Sequence, residues 1–207
     1  MLRSRYVLTL LVALPALLIA AAGTQHPIFL EPDTAVVWRN AHLLLLPLFP
    51  LLALSVVLLL RGERGPLSWA ARVLAFAYAV LYGALDSIAG IGAPKQVLEA
   101  AARGDERPPV DDLYAIGDQL GALGVYALAG AAVLTGVVLF LRNRSLLAIV
   151  GAAVVTVGSS FFLRHHVFPP RGVLAMVAIG IGMALLELSR DGVDRAGAPA
   201  AQETLRA

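Results

Sequence analysis

The stretch "SWAARVLAFAYAVLYGALDSIAGIGA", Ser68–Ala93, decides how the rest of the chain is read. A helix that crosses a bilayer needs about 20 mainly apolar residues, and this stretch is long enough. Yet it carries one acid, Asp86, with two further turns of uncharged residues before the next boundary. An ionisable side chain inside a span costs roughly 2.5–3.5 kcal/mol on insertion scales. The stretch therefore reads as a membrane span that bears a functional carboxylate. Tyr82 lies four residues earlier on the same face, and Gly83, Ser87 and Gly90 leave space around the acid.

Outward from this segment the same texture repeats. Of 207 residues, 59% are hydrophobic and only 14% are charged, against about a quarter charged in a soluble domain. Six stretches are candidate spans: Tyr6–Gly23, Ala41–Leu60, Ser68–Ala93, Leu113–Leu141, Ser145–Leu163 and Gly172–Ser189. The expected fold is an all-α integral membrane protein, a six-helix bundle forming one domain over residues 1–190. A tail, 191–207, is small and polar enough to be disordered. The first segment has a second reading as a cleaved signal peptide, with Arg3 and Arg5 ahead of the apolar stretch and Ala20–Ala22 as the cleavage site. Its length favours a span.

Basic residues set the orientation. With the N-terminus cytoplasmic, the inner side holds Arg3, Arg5, Arg61, Arg64, Arg72, Arg142, Arg144, Arg190, Arg195 and Arg206. The outer side holds Arg39, Lys95, Arg103, Arg107, Arg164 and Arg171. Ten against six places both termini inside. Lys95 is the single lysine, a bias expected of a GC-rich bacterial genome, so the expected location is a bacterial inner (plasma) membrane.

The connections are short. Thr24–Asn40 contains Pro27 and Pro32, which break a helix, and Trp38, which suits an interfacial aromatic belt. In the third connection, Pro94 marks a helix start and Gly104 a stop, predicting a short surface helix over "PKQVLEAAARG". "DERPPVDD" after it is too charged for the bilayer. Pro47 and Pro50 predict a kink in the second span. Rows of small residues four apart predict close helix packing: Ala75–Ala79–Gly83–Ser87, Gly117–Gly121 and Ala148–Ala152–Thr156–Ser160.

Under this topology His42, Asp86, Asp118, Arg164, His165, His166 and Arg171 gather in the outer half, with Tyr82 beside Asp86. The inner half has one deep acid, Glu187, near Arg190. The expected ligand-binding set is therefore His42, Tyr82, Asp86, Asp118, Arg164, His165, His166 and Arg171, in a pocket facing the extracytoplasmic side. Neighbouring helical positions point about 100° apart, so one of His165 and His166 faces inward. In "FFLRHHVFPPRG", the prolines and Gly172 reverse the chain, and Phe161, Phe162 and Phe168 are expected to anchor the turn at the interface. Helix neighbours pack 8–10 Å apart, so a shared pocket requires an inward Asp86 with histidines within about 15 Å.

Three function classes fit such a pocket. One is binding of a small ligand, a lipid headgroup, a quinone or an ion, with arginine well shaped for paired oxygens. A second is a metal-dependent membrane enzyme, with a divalent metal held by His42, Asp86 and His165, or a haem held by His42 and His165 or His166. The third is a structural or assembly subunit, with a partner membrane subunit or a second copy of the chain. The lipid bilayer is the one partner common to all three. There are no cysteines, which excludes disulfides and thiolate chemistry. A formal charge of +2 without a basic run excludes nucleic acid. Phosphate loops, dinucleotide fingerprints and nucleophile elbows are absent from the sequence.

Overall fold

The computed structural model describes residues 2–105 and 109–192, with side chains described over 6–105 and 109–190. Its elements are α1 (Leu2–Gly23), α2 (Ala35–Leu59), α3 (Pro66–Leu85), a π-helical turn (Asp86–Gly92), α4 (Ala93–Arg103), α5 (Asp111–Asn143), α6 (Leu146–His165), α7 (Arg171–Leu188) and a closing 3₁₀ turn (Ser189–Gly192). Six spans are long and apolar enough to cross a bilayer, the third running from Pro66 through the π turn to Arg103. The protein is an all-α, six-helix multi-pass membrane protein. The tail from residue 193, and part of "DERPPVDD", lie outside the described residues.

The spans form a closed ring in chain order. α1 packs on α2, α2 on α3, α3 on α5, α5 on α6, α6 on α7, and α7 back on α1. Lipid tails are as apolar as leucine, so close backbone approach rather than water exclusion drives this association. The contacts show it. A Cβ on Gly151 would sit 2.9 Å from the Gly182 carbonyl, and one on Gly182 would sit 2.8 Å from the Gly151 carbonyl. A Cβ on Gly117 would meet the Ala89 methyl at 2.8 Å. Of the expected rows, Gly117 seats α5 on the π turn, and Ala148 and Ala152 seat α6 on α5 at Gly136, whereas α6 meets α7 through Gly151 and Gly182, outside those rows, and nothing lies within 4 Å of a Cβ on Gly83. Large apolar side chains such as Phe76, Leu146 and Leu174 face outward, where lipid lies.

The short helix expected after Pro94 is α4, and Gly104 ends it with φ +76°, a conformation that favours glycine. Pro47 and Pro50 do not interrupt α2, which is helical throughout Ala35–Leu59.

Arginines close the Glu187 end of the bundle. The last carbonyls of a helix lack partners within it, and here Arg72 donates to Leu60 O at 2.7 Å and to Glu63 O at 2.9 Å. Arg190 donates to Leu59 O and Arg61 O. Arg61 forks onto both oxygens of the buried Glu187, and Arg142 pairs with Glu63. Burial, together with the like charges of Arg61 and Arg142, holds the Arg190 guanidinium below its usual range. Glu187 is therefore one half of a two-toothed clamp between α2 and α7.

Candidate functional site

At the other end, one face of α2 presents Ala35, Trp38, His42, Leu45, Phe49 and Leu52, the three- and four-residue spacing of a helical stripe. Because α2 starts at Ala35, His42 lies two turns inside the helix and is buried, whereas the expected span starting at Ala41 would have put it in the first turn. Trp38 is buried with it, so it is part of the site and not of an interfacial belt.

The π turn positions the partner. A π turn inserts one extra residue into the helical register and recurs at functional sites. Here it begins at Asp86, which is fully buried, and four residues on it places Gly90 under His42. A Cβ on Gly90 would lie 2.1 Å from the His42 ring. His42 Nε2 sits 3.8 Å from Asp86 Oδ1, close enough for charge coupling and longer than a hydrogen bond. Neither Asp86 oxygen has a hydrogen-bond partner.

The turn after α6 supplies the third wall. His166 takes φ +48°, a region that a residue with a Cβ rarely occupies. Gly172 allows this reversal, since a Cβ there would lie 2.2 Å from the His166 carbonyl. His166 Nδ1 lies 2.5 Å from the Tyr82 hydroxyl. Its ring stacks on His42, centroids 5.7 Å apart and 7° from parallel, and His42 stacks in turn on Trp38 at 5.6 Å. Phe162 and Phe168 pack against His166. Only Phe161 of the three phenylalanines faces outward; Phe162 is buried, and Phe168 joins the ring cluster instead of anchoring the turn.

His26 completes the cluster, a residue the sequence reading passed over. Its Nε2 is 3.4 Å from His42 Nδ1, and its own Nδ1 is 2.7 Å from Pro27 O. Partners assign the tautomers. Pro27 O can only accept, so His26 Nδ1 carries hydrogen and His26 Nε2 is a bare acceptor. Trp38 O, 3.0 Å from His42 Nδ1, likewise fixes hydrogen on that nitrogen and leaves His42 Nε2 as a lone pair facing Asp86. The Tyr82 hydroxyl can both donate and accept, so its contact with His166 Nδ1 fits either His166 tautomer. Burial lowers the affinity of His26 for a proton, only partly offset by the Pro27 carbonyl. Burial also depresses His166 well below the usual imidazole range, and any charge on His42 or His26 adds to that.

These groups surround a cavity of about 760 Å³ whose walls are Trp38, Tyr82, Leu85, Val125, Phe162 and Phe168, with His42 and His166 inside. Thr34 Oγ1 bonds Glu31 N and Phe29 O, which folds Ile28, Phe29 and Leu30 across one side. Glu31, Asp118, Arg164 and His165 stand at the rim.

The expected site residues therefore divide. His42, Tyr82 and His166 converge inside the cavity, and Asp86 lies behind His42 without reaching it. Asp118 and Arg164 are exposed rim residues, and Asp118 stands two turns into α5, not in its first turn. Arg171 lines a separate cavity of about 410 Å³ on the far side of the turn. The expected metal set of His42, Asp86 and His165 does not assemble. Consecutive residues point apart, so His166 takes the inward place and His165 packs near Phe161 at 6.4 Å. Among the described residues no three His, Asp or Glu side chains are placed to hold a metal ion.

No family model, curated protein or solved structure matches the chain, so the site is read from its own geometry.

Proposed function

We propose that this end of the bundle binds a neutral, lipid-soluble small molecule that carries a planar ring and a hydrogen-bond acceptor, the quinone class being the chemistry that fits best. The observation that carries this reading is the ring-lined cavity of about 760 Å³ with a few inward polar groups, the size and make-up of a small-molecule pocket. Flat walls at Trp38, His42, Phe162 and His166 favour a flat occupant by offset stacking. With Tyr82 donating to His166 Nδ1, His166 Nε2–H offers a donor to a ligand carbonyl. The rim mixes Glu31 and Asp118 with Arg164 and His165, so it does not select a bare anion, and a headgroup ligand fits less well than a neutral ring. By the distribution of basic residues the cavity opens on the extracytoplasmic side of a bacterial inner membrane.

The test is extraction and mass spectrometry of molecules that co-purify with the protein in mild detergent. A ring-bearing small molecule is expected with the wild type and lost from Ala122→Phe, which places a ring in the cavity from α5. Bulk phospholipid alone, equal in both, contradicts the reading.

A further inference from the structure

The ligand cavity leaves Asp86 unexplained, because Asp86 does not line it. A buried carboxylate with no hydrogen bond is costly in a low-dielectric interior. Among the described residues both oxygens are unpartnered at zero exposure, and the titratable nitrogen facing them is the His42 Nε2 lone pair at 3.8 Å. The neutral Tyr78 hydroxyl is also buried without a partner. Tyr82 is spoken for by His166. Tyr114 and Asp118 of α5 face the cavity instead. On α4, Lys95 and Glu99 are exposed and pair with each other, and Arg103 pairs with Asp105.

We propose that Asp86 is a proton-storing site, loaded and emptied through a relay of His42 and His26. The stored proton sits on the Asp86 carboxyl. When it leaves, the side chains first close the 3.8 Å gap to hydrogen-bond distance; the proton then passes to His42 Nε2 while the hydrogen on His42 Nδ1 passes to His26 Nε2, 3.4 Å away. One proton enters the imidazole and one leaves it. The products are an Asp86 carboxylate, a neutral His42 of opposite tautomer and a protonated His26 under the loop. Return of a proton reverses each step. Beyond Asp86 toward the Glu187 end lie buried Leu52, Val56, Leu128 and Leu139, and the hydroxyls of Ser55 and Thr135 are held by carbonyls of their own helices, so among the described residues no continuous polar path leads on from the acid. The device stores a proton and does not conduct one. It does not depend on the identity of the cavity's ligand.

Infrared spectroscopy of lipid-stripped protein tests it. At about pH 7 exposed carboxyls, with values near 4, are ionised, so a protonated-carboxyl stretch that shifts in heavy water belongs to a buried acid. The band is expected in the wild type and lost in Asp86→Asn. In His42→Gln its pH dependence changes, and in His26→Gln the band stays while its exchange with heavy water slows. Absence of the band from the wild type across the stable pH range overturns the proposal, as does a band that persists in Asp86→Asn or that titrates and exchanges in both histidine variants as it does in the wild type. Because the wild-type result alone can refute it, a variant that fails to fold leaves the test intact.

Discussion

At the scale of single residues, Gly90 is the position on which the site turns. A methyl group there would fall 2.1 Å from the His42 ring, whereas nothing lies within 4 Å of a Cβ on Gly83 one turn before the π segment. Gly90→Ala is therefore expected to destabilise by about 1–3 kcal/mol through overpacking and to push His42 off Asp86. Gly83→Ala is expected to be neutral or to stabilise by up to ~1 kcal/mol through helix propensity. Thermal unfolding in detergent compares the two, and equal effects would refute the assigned contact. Asp86 itself was legible in the sequence, because a lone acid deep in an apolar stretch has a cost that must be met. His26 was not, since a histidine beside Pro27 in a connecting loop resembles any solvated residue. The available signal was collective: of only four histidines in the chain, all fall at one end under the predicted topology.

At the scale of elements, the two connections that cover the cavity carry an acid sensitivity. His26 and His166 bind protons less readily folded than unfolded, so below about pH 6.5, the ordinary imidazole value, the unfolded chain takes up more protons. Their contribution is fully present above that value and is lost as pH falls below it toward the depressed folded values. A lower melting temperature at about pH 5 than at pH 7.5 is expected, with a smaller drop in His166→Phe. An identical drop in that variant contradicts the assignment. The opposite end responds differently. Glu187→Gln breaks the fork to Arg61 and is expected to cost about 1.5–3 kcal/mol, the range for hydrogen bonds to charged groups, with the Trp38 environment unchanged by fluorescence. The stop signal at Gly104 was readable from local chemistry, whereas the expected start at Pro94 falls inside a helical run that continues from α3 through the π turn. The early start of α2 was not readable, because a loop with two prolines gives no sign that the helix begins at Ala35, six residues before the apolar run.

At the scale of the whole molecule, six spans close in a ring around a cavity at one end. Where glycine and alanine face each other, as at Gly151 and Gly182, helices touch backbone to backbone. Where α2, the π turn and the turn after α6 bring rings together, a cavity opens. The uneven distribution of polar residues was visible in the sequence, and the structure turns Asp86 inward with His42 3.8 Å away, although Asp86 does not line the cavity. What sequence could not convey was the order of the groups in depth: rim charges, then stacked rings, then a buried acid. That order depends on which of two adjacent histidines turns inward.

The central claim is that the ring-lined cavity takes up a lipid-soluble planar molecule. The chain has two tryptophans, Trp38 in the cavity wall and Trp69 exposed near the other end, so Trp69→Phe leaves Trp38 as the sole reporter. Titration of that variant with a short-chain quinone is predicted to quench Trp38 fluorescence saturably, and the addition of Ala122→Phe is predicted to abolish the saturation. Quenching that stays linear with quinone concentration, or is the same with the cavity filled, would contradict the account.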